Sequence, residues 1–215
     1  MLKNINAAIF DLDGTLVDSM WVWEKIDIEF LKAREIQTPK NLMSEICHLT
    51  FEQTANCFKS RFNLLESTQE IMDEWNAMAY DHYKNDVKLK PGAKELLLTL
   101  KKLNIKIALA TSNCRQLLEI TLKSNGIFDL FDIISTTDEV SRGKDFPDIY
   151  LLSAKKLNVA PNECIVFEDI LKAVYGAKLA GMHVVGVKDH FSQSESKQIK
   201  ECSDRYINDF VGFAI

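Results

Sequence analysis

The feature that most constrains the fold of this 215-residue chain is the alternation of apolar and amphipathic segments after Pro91-Gly92. Short apolar segments typical of buried strands are each followed by a segment whose apolar residues recur at helical spacing. The predicted strands are 5–10, 105–110, 131–136, 164–167 and 183–187, with a last edge strand in 203–210, and the predicted helices are 93–103, 114–124, 149–157 and 170–180. Apolar strands without polar alternation, separated by helices, indicate a parallel sheet covered on both faces.

Between the first strand and Pro91-Gly92 the pattern is helical throughout. Trp23, Ile26 and Phe30 recur at helical spacing, and no convincing strand is predicted from residue 20 to residue 83. We therefore predict an α/β core made of residues 1–16 and 88–215, interrupted by an all-helical domain at residues 17–87. The expected fold class is α/β, with a Rossmann-like parallel sheet and an inserted helical domain.

Composition and charge exclude several classes of function. The net charge is −5, and residues 17–87 carry 7 Lys and Arg against 13 Asp and Glu, so we expect no nucleic-acid partner. No apolar run approaches the length of a bilayer span, and we expect neither a signal peptide nor a membrane partner. The five cysteines are scattered and form no CxxC pair. This pattern argues against a structural zinc site and favours a reducing, cytoplasmic location.

Two carboxylates follow directly after the first predicted strand, in the sequence DLDGT at residues 11–15. In open parallel sheets, sites form at the carboxyl ends of strands. Residues two apart on a chain leaving a strand can direct both carboxylates to the same side, and Gly14 permits a sharp turn after them. Taken alone, such a pair is more often an Asx turn with solvated acids.

Three more polar clusters follow later strands: Thr-Ser-Asn at 111–113, Arg-Gly-Lys at 142–144 and Glu-Asp at 168–169. Each alone is explained by helix capping or by a surface charge. Together with residues 11–15 they bring four carboxylates, a hydroxyl and an ammonium group to four strand ends. That density of negative charge predicts a cation, and oxygen ligands without a His or Cys cluster favour Mg²⁺. A helix N-terminus and a lysine add a phosphate site, so we predict phosphoryl transfer.

These four clusters, in this order, resemble the motifs of the haloacid dehalogenase-like hydrolase superfamily. DLDGT resembles the first motif, ALATSN the second, GKDFPDIY the third and VFEDI with the later AGM the fourth. The helical insert after the first motif resembles the four-helix cap of the subgroup that contains β-phosphoglucomutase and many sugar-phosphate phosphatases.

The resemblance implies catalytic roles for four residues. Asp11 becomes the nucleophile and a metal ligand. Asp13 becomes the general acid and base, with its backbone carbonyl on the metal. Thr111 binds the phosphoryl oxygens, and Lys144 bridges Asp11 and the phosphate.

The same resemblance implies binding roles for the residues beside them. Ser112 and Asn113 complete the substrate-binding segment with Thr111. Glu168 and Asp169 hold Mg²⁺, the expected cofactor, and Asp169 is the surer ligand of the two.

Three functions fit this constellation, and a phosphatase acting on a small phosphorylated metabolite, with sugar phosphates leading, fits best. A β-phosphoglucomutase-type mutase is the first alternative. The cap loop of those mutases carries an arginine for the distal phosphate, whereas an ungapped register puts Phe51 there, which favours hydrolysis. The second alternative is a non-catalytic protein that binds a phosphorylated ligand on the same fold, and the intact acids and Lys144 argue against it. We expect a monomer.

Overall fold

The computed structural model describes residues 4–42, 46 and 51–214. The strands are β1 (Ala7–Phe10), β2 (Val17–Asp18), β3 (Lys88–Leu89), β4 (Lys106–Thr111), β5 (Ile133–Thr136), β6 (Cys164–Glu168), β7 (His183–Val187) and β8 (Arg205–Ile207). The helices, numbered along the chain, are α1 (Trp21–Ala33), α2 (Phe51–Arg61), α3 (Thr68–Asn85), α4 (Ala93–Lys102), α5 (Arg115–Ser124), α6 (Asp148–Leu157), α7 (Leu171–Leu179) and α8 (Ser196–Cys202). Among these residues, no helix combines the length and the apolar character needed to cross a membrane.

The chain divides into two compact units. The first consists of Met1–Ser19 and Val87–Ile215 and is an α/β unit, and the second, Met20–Asp86, is helical where it is described. The predicted α/β fold class is confirmed. The assignment of a catalytic core and a cap to these units stays a prediction.

Six parallel strands form the sheet of the α/β unit, in the order β5-β4-β1-β6-β7-β8. All four residues of β1 are fully buried, because this strand lies between β4 and β6, helix α6 packs against it and Phe10 packs against Phe167 and Phe210. From β1 the chain adds β4 and β5 on one side and then crosses to add β6, β7 and β8 on the other. The strand order therefore reverses at β1, and in open α/β sheets ligands bind at such a switch point.

The short strands β2 and β3 of the α/β unit were not predicted. β2 and β3 form an antiparallel pair of two residues each, at the points where the chain leaves this unit and returns to it. Two residues are too few to show a period of alternation. Helix α8 also escaped prediction, since Ile199 is its one fully buried residue and leaves no apolar stripe.

The helical unit is organised around aromatic side chains. Phe30 of α1, Phe58 of α2 and Trp75 of α3 meet with ring centroids 4.9–6.1 Å apart, in edge-to-face arrangements. Helix α3 begins with a capping box in which Ser67 and Glu70 satisfy each other's backbone amides. Leu42 and Ile46 are also helical, but residues 43–45 and 47–50 lie outside the described residues, so the predicted four-helix count stays a prediction.

Candidate active site

Three strands of the sheet end at the same edge and bring polar residues together there. Phe10 of β1 pairs in register with Leu109 of β4 and with Phe167 of β6. Asp11 follows β1 directly, and its backbone amide donates a hydrogen bond of 3.1 Å to the carbonyl of Phe167. Thr111 and Glu168 are the last residues of the neighbouring strands. The parallel register is thus the reason that residues more than 150 positions apart meet.

Three carboxylates form a buried cluster at this edge. Oxygens of Asp11, Glu168 and Asp169 lie within 4.8 Å of one another, and these residues are 6%, 1% and 1% exposed. The Thr15 hydroxyl donates to Asp169 Oδ1 at 2.7 Å, which fixes the orientation of that carboxylate. A set of oxygen donors with no nitrogen or sulfur among them suits a hard divalent cation.

The Lys144 ammonium group lies beside two of these acids. It donates to Asp11 Oδ1 at 2.5 Å and also to Glu168 Oε1, which accepts a second hydrogen bond of 2.9 Å from the Tyr150 hydroxyl. Gly176 allows the Lys144 backbone to approach helix α7 closely, because a Cβ at position 176 would lie 2.0 Å from the Lys144 carbonyl oxygen. Helix packing therefore positions the lysine.

Burial controls the ionisation of this cluster. It raises the pKa of Glu168 to about 7 and that of Asp169 well above its usual range, and the charge of Asp11 acts in the same direction on both. Burial alone would lower the pKa of Lys144, but the attraction of Asp11 and Glu168 outweighs it and raises that pKa above its usual value. One ammonium group thus only partly balances three carboxylates, and a bound divalent cation fits the remaining charge.

Asp13 lies next to this cluster and has its own hydrogen-bond partners. The Ser19 hydroxyl donates to Asp13 Oδ1 at 2.7 Å, and the Asn113 side-chain amide donates to Asp13 Oδ2 at 2.8 Å. The Asn113 backbone amide donates to the Thr111 hydroxyl at 3.0 Å, and Thr111 is buried. The second motif therefore contacts the first through Asn113, whereas Ser112 is exposed.

Sequence reasoning missed several residues of this arrangement. Tyr150 lies within the third motif, two residues after its aspartate, but a tyrosine in an apolar helix reads as core. Gly176 is the stronger missed signal, since a glycine in the middle of a helical pattern often marks a close backbone approach. Thr15 and Ser19 contact acids of the site from the chain that leaves β1.

The parallel sheet, the switch-point location and the acids beside a lysine are the arrangement that the four sequence motifs predict for a hydrolase of the haloacid dehalogenase-like class. Residues 8–187 match the family model described as Haloacid dehalogenase-like hydrolase. The chain belongs to this family, and the resemblance predicted from the four motifs is confirmed.

Relatives with related activities align along most of the chain. Hexitol phosphatase B of Escherichia coli K12 is 26% identical over 198 residues, which cover 91% of this chain and 89% of the relative. The validoxylamine A 7′-phosphate phosphatase of Streptomyces hygroscopicus is 29% identical over 180 residues and 84% of each chain. A crystal structure of a HAD hydrolase, family IA, variant 3, from Entamoeba histolytica superimposes with a TM-score of 0.76 at 27% identity, covering 98% and 96% of the two chains. The predicted enzyme class, a phosphatase of this family, is confirmed.

Proposed function

We propose that the chain is a Mg²⁺-dependent phosphatase that hydrolyses small phosphomonoesters, sugar phosphates above all, through a phosphoaspartate on Asp11. The observation that carries this proposal is the contact of one buried ammonium group, that of Lys144, with both Asp11 and Glu168. A carboxylate and a phosphate dianion repel each other, and a cation between them removes that barrier. Relatives named for a hexitol and for validoxylamine A 7′-phosphate support a substrate of sugar or polyol type.

Mg²⁺ is the cofactor of this proposal. Asp11, Glu168 and Asp169 supply carboxylate oxygens for it, and Asp13 supplies its backbone carbonyl. The raised pKa values of Glu168 and Asp169 support a cation, since these acids ionise at higher cost without one. When bound, Mg²⁺ supplies positive charge that offsets the charge of the transferred phosphoryl group.

In the first half of the reaction, an oxygen of Asp11 attacks phosphorus in line with the leaving group. The new oxygen–phosphorus bond forms as the bond from phosphorus to the substrate oxygen breaks. Asp13 gives its carboxyl proton to that departing oxygen. The Ser19 hydroxyl can donate to the Asp13 carboxylate and accept from the protonated carboxyl group, so it can stay hydrogen-bonded to Asp13 in both protonation states. Lys144 and the Thr111 hydroxyl hold the phosphoryl oxygens.

In the second half, Asp13 acts as a base. Its carboxylate takes a proton from a water molecule as that water attacks the phosphorus of the phosphoaspartate. The bond to the Asp11 oxygen breaks, inorganic phosphate leaves and both aspartates return to their starting states. A general acid and base of this kind contributes about 10²–10⁴-fold in rate.

Delivery to water, and not to a second sugar hydroxyl, is supported by Phe51. In the register used above, this position would have to hold an arginine in a mutase. The Phe51 ring instead packs at 5.5 Å from Trp23 and at 5.6 Å from Trp75, within the aromatic core of the helical unit. A phenyl ring has no donor for a phosphate.

The test is a panel of phosphate esters with Mg²⁺, comprising hexitol phosphates, hexose phosphates, nucleoside monophosphates and an aryl phosphate. We expect phosphate release by the wild-type protein, none after chelation of Mg²⁺, and none above background for Asp11→Asn. Asp129→Asn, which changes an exposed aspartate of the same unit, serves as the matched control and keeps full activity. Absence of phosphate release from every ester would contradict the proposal. Isomerisation of glucose 1-phosphate in a parallel assay would show instead that the protein is a mutase.

A further inference from the structure

A buried ion pair lies beside the loop that follows Asp11, outside the residues assigned so far. Lys90, directly after β3, is 9% exposed, and Asp189, shortly after β7, is 6% exposed. The Lys90 ammonium lies 3.0 Å from Asp189 Oδ2, donates to the Lys188 carbonyl at 2.7 Å and also donates to the Gly14 carbonyl. Its three N–H groups therefore have three acceptors, whereas most lysines keep their ammonium group in water.

Lys90 holds the loop at residues 11–16 at two points. Its ammonium group contacts the Gly14 carbonyl, and its backbone amide donates to the Leu16 carbonyl at 2.8 Å. A single residue thus fixes the chain on both sides of Thr15.

The loop that Lys90 holds is packed against the acid cluster. Gly14 has φ +81°, and a Cβ there would lie 2.4 Å from Asp169 Oδ2. Thr15, the next residue, donates to the other oxygen of Asp169. Asp13, the preceding residue, carries the proposed acid and base. A displacement of the Gly14 peptide would therefore move Asp13 and the support of Asp169 together.

We propose that Lys90, paired with Asp189, is a positioning residue: it fixes the Gly14 carbonyl and thereby holds Asp13 and Asp169 in the arrangement that phosphoryl transfer requires. This inference rests on the proposed phosphatase function. The glycine peptide is the part of the loop with the least intrinsic restraint, because Gly14 has no side chain to limit its rotation. Without the ammonium group, its carbonyl loses a partner in a buried place and the peptide is free to turn.

A purely structural role for the pair makes a different prediction. Removing only one partner of a buried ion pair leaves an uncompensated charge and destabilises the fold, whereas replacing both by neutral side chains of similar shape is often neutral. In the double variant Lys90→Met/Asp189→Asn, both charges are gone but the Gly14 carbonyl still lacks its donor. This variant therefore separates the effect of the ion pair on the stability of the fold from its effect on the position of the Gly14 peptide.

The experiment compares the wild-type protein, the double variant and the control variant Lys106→Met. Lys106 is the first residue of β4, and its ammonium group donates a hydrogen bond of 2.6 Å to the Leu157 carbonyl. We expect the double variant to unfold near the wild-type Tm, with kcat lowered about 10- to 100-fold and KM little changed, as for a displaced catalytic group. Calorimetric titration with Mg²⁺ should show about tenfold weaker binding, in the range typical for loss of an outer-shell partner. Lys106→Met should match the wild-type protein in all four quantities.

A second variant tests the proposal even if the double variant does not fold. Lys90→Arg keeps a cation beside Asp189 but cannot present three donors in the same directions, so it should fold and show an intermediate kcat. Wild-type kcat and Mg²⁺ affinity in the double variant would overturn the proposal. If the wild-type protein itself releases no phosphate, the proposed function fails, and the Mg²⁺ affinities of the variants still decide the role of Lys90.

Discussion

In each unit of the molecule a cation lies between two carboxylates, Lys144 in the α/β unit and Arg34 in the helical unit, and the two groups differ in burial. In the α/β unit, the side chains of Asp11 and Glu168 beside Lys144 are 8% and 1% exposed. In the helical unit, the side chains of Glu66 and Glu74 beside Arg34 are 35% and 41% exposed. Both cations thus contact two carboxylates, but those beside Lys144 are far more buried than those beside Arg34.

The Arg34 group is internally satisfied. Its guanidinium contacts Glu74 through two nitrogens at 2.7 and 3.0 Å, contacts Glu66 through two nitrogens at 2.7 and 3.0 Å, donates to the Phe30 carbonyl and lies 3.6 Å above the Phe30 ring. Such a group joins helices and has no donor left for a ligand. Water and salt screen it, so its contribution to stability is modest.

The Lys144 group is not balanced in this way. A third buried carboxylate, that of Asp169, adjoins it, and burial raises the pKa of both Glu168 and Asp169. A structure that only needed stability would not concentrate three acids around one lysine in a buried place. The difference teaches that an incompletely compensated group of buried charges, rather than the number of ion pairs, points to the candidate site.

The largest effect that tests this comparison is expected for Lys144→Met. The variant removes the cation beside Asp11, and we expect kcat to fall about 10²–10³-fold, as for loss of one preorganised electrostatic donor. Steady-state kinetics at saturating Mg²⁺ on the substrate found in the panel measure it.

Lys155→Met, an exposed lysine on helix α6, is the matched control and should retain wild-type kcat. A kcat for Lys144→Met within twofold of the control would mean that the buried group resembles the Arg34 group in function, and the comparison would lose its basis.

Much of the α/β unit could be predicted because its strands are apolar throughout. The predicted strand 183–187 and β7 coincide, and the helices α4 to α7 were predicted to within one residue at each end. The meeting of Asp11 with Glu168 could also be predicted, since parallel strands bring their carboxyl ends to one edge whatever their separation along the chain.

The contacts of Lys90 and Tyr150 could not be predicted from the sequence. Lys90 meets Gly14 and Asp189 across 76 and 99 residues, and such contacts depend on the packing of loops that carry no period. Tyr150 shows helical spacing like its apolar neighbours, and its hydroxyl becomes informative only when Glu168 is found beside it. Sequence patterns report which face of an element is buried, but not which polar atom lies opposite.

A buried acid that forms no ion pair with any described residue extends the comparison to the helical unit. Asp27 on α1 is 8% exposed, and burial raises its pKa from 3.8 to about 7, with the charge of Glu24 adding to the effect. The folded state keeps this proton up to about pH 7, whereas the unfolded chain releases it near pH 4. The free energy of unfolding should therefore fall as the pH rises between these values and level off above them.

The Asp27→Asn variant should lack this component of the pH dependence. At pH 8 we expect it to be more stable than the wild-type protein by about 1–3 kcal/mol, and at pH 4 to be equally stable within error. Urea denaturation at a series of pH values with Mg²⁺ present measures the difference, and Asp81→Asn, an exposed aspartate of α3, is the control. A constant difference between variant and wild type from pH 4 to pH 8 would contradict the assignment.

The smallest effect is expected for Arg34→Met, which removes the cation of the exposed group while keeping an apolar chain over Phe30. Because Glu66 and Glu74 can turn to water when the arginine is lost, neither is left as a buried charge. We expect Tm to fall by only a few degrees, kcat to stay at the wild-type value, and the difference in Tm to shrink in 1 M salt, where the Debye length is about 3 Å. Differential scanning calorimetry at low and high salt, with kinetics on the same preparations, measures all three. A large loss of kcat would show that the Arg34 group also serves the reaction, and burial would no longer separate the two groups.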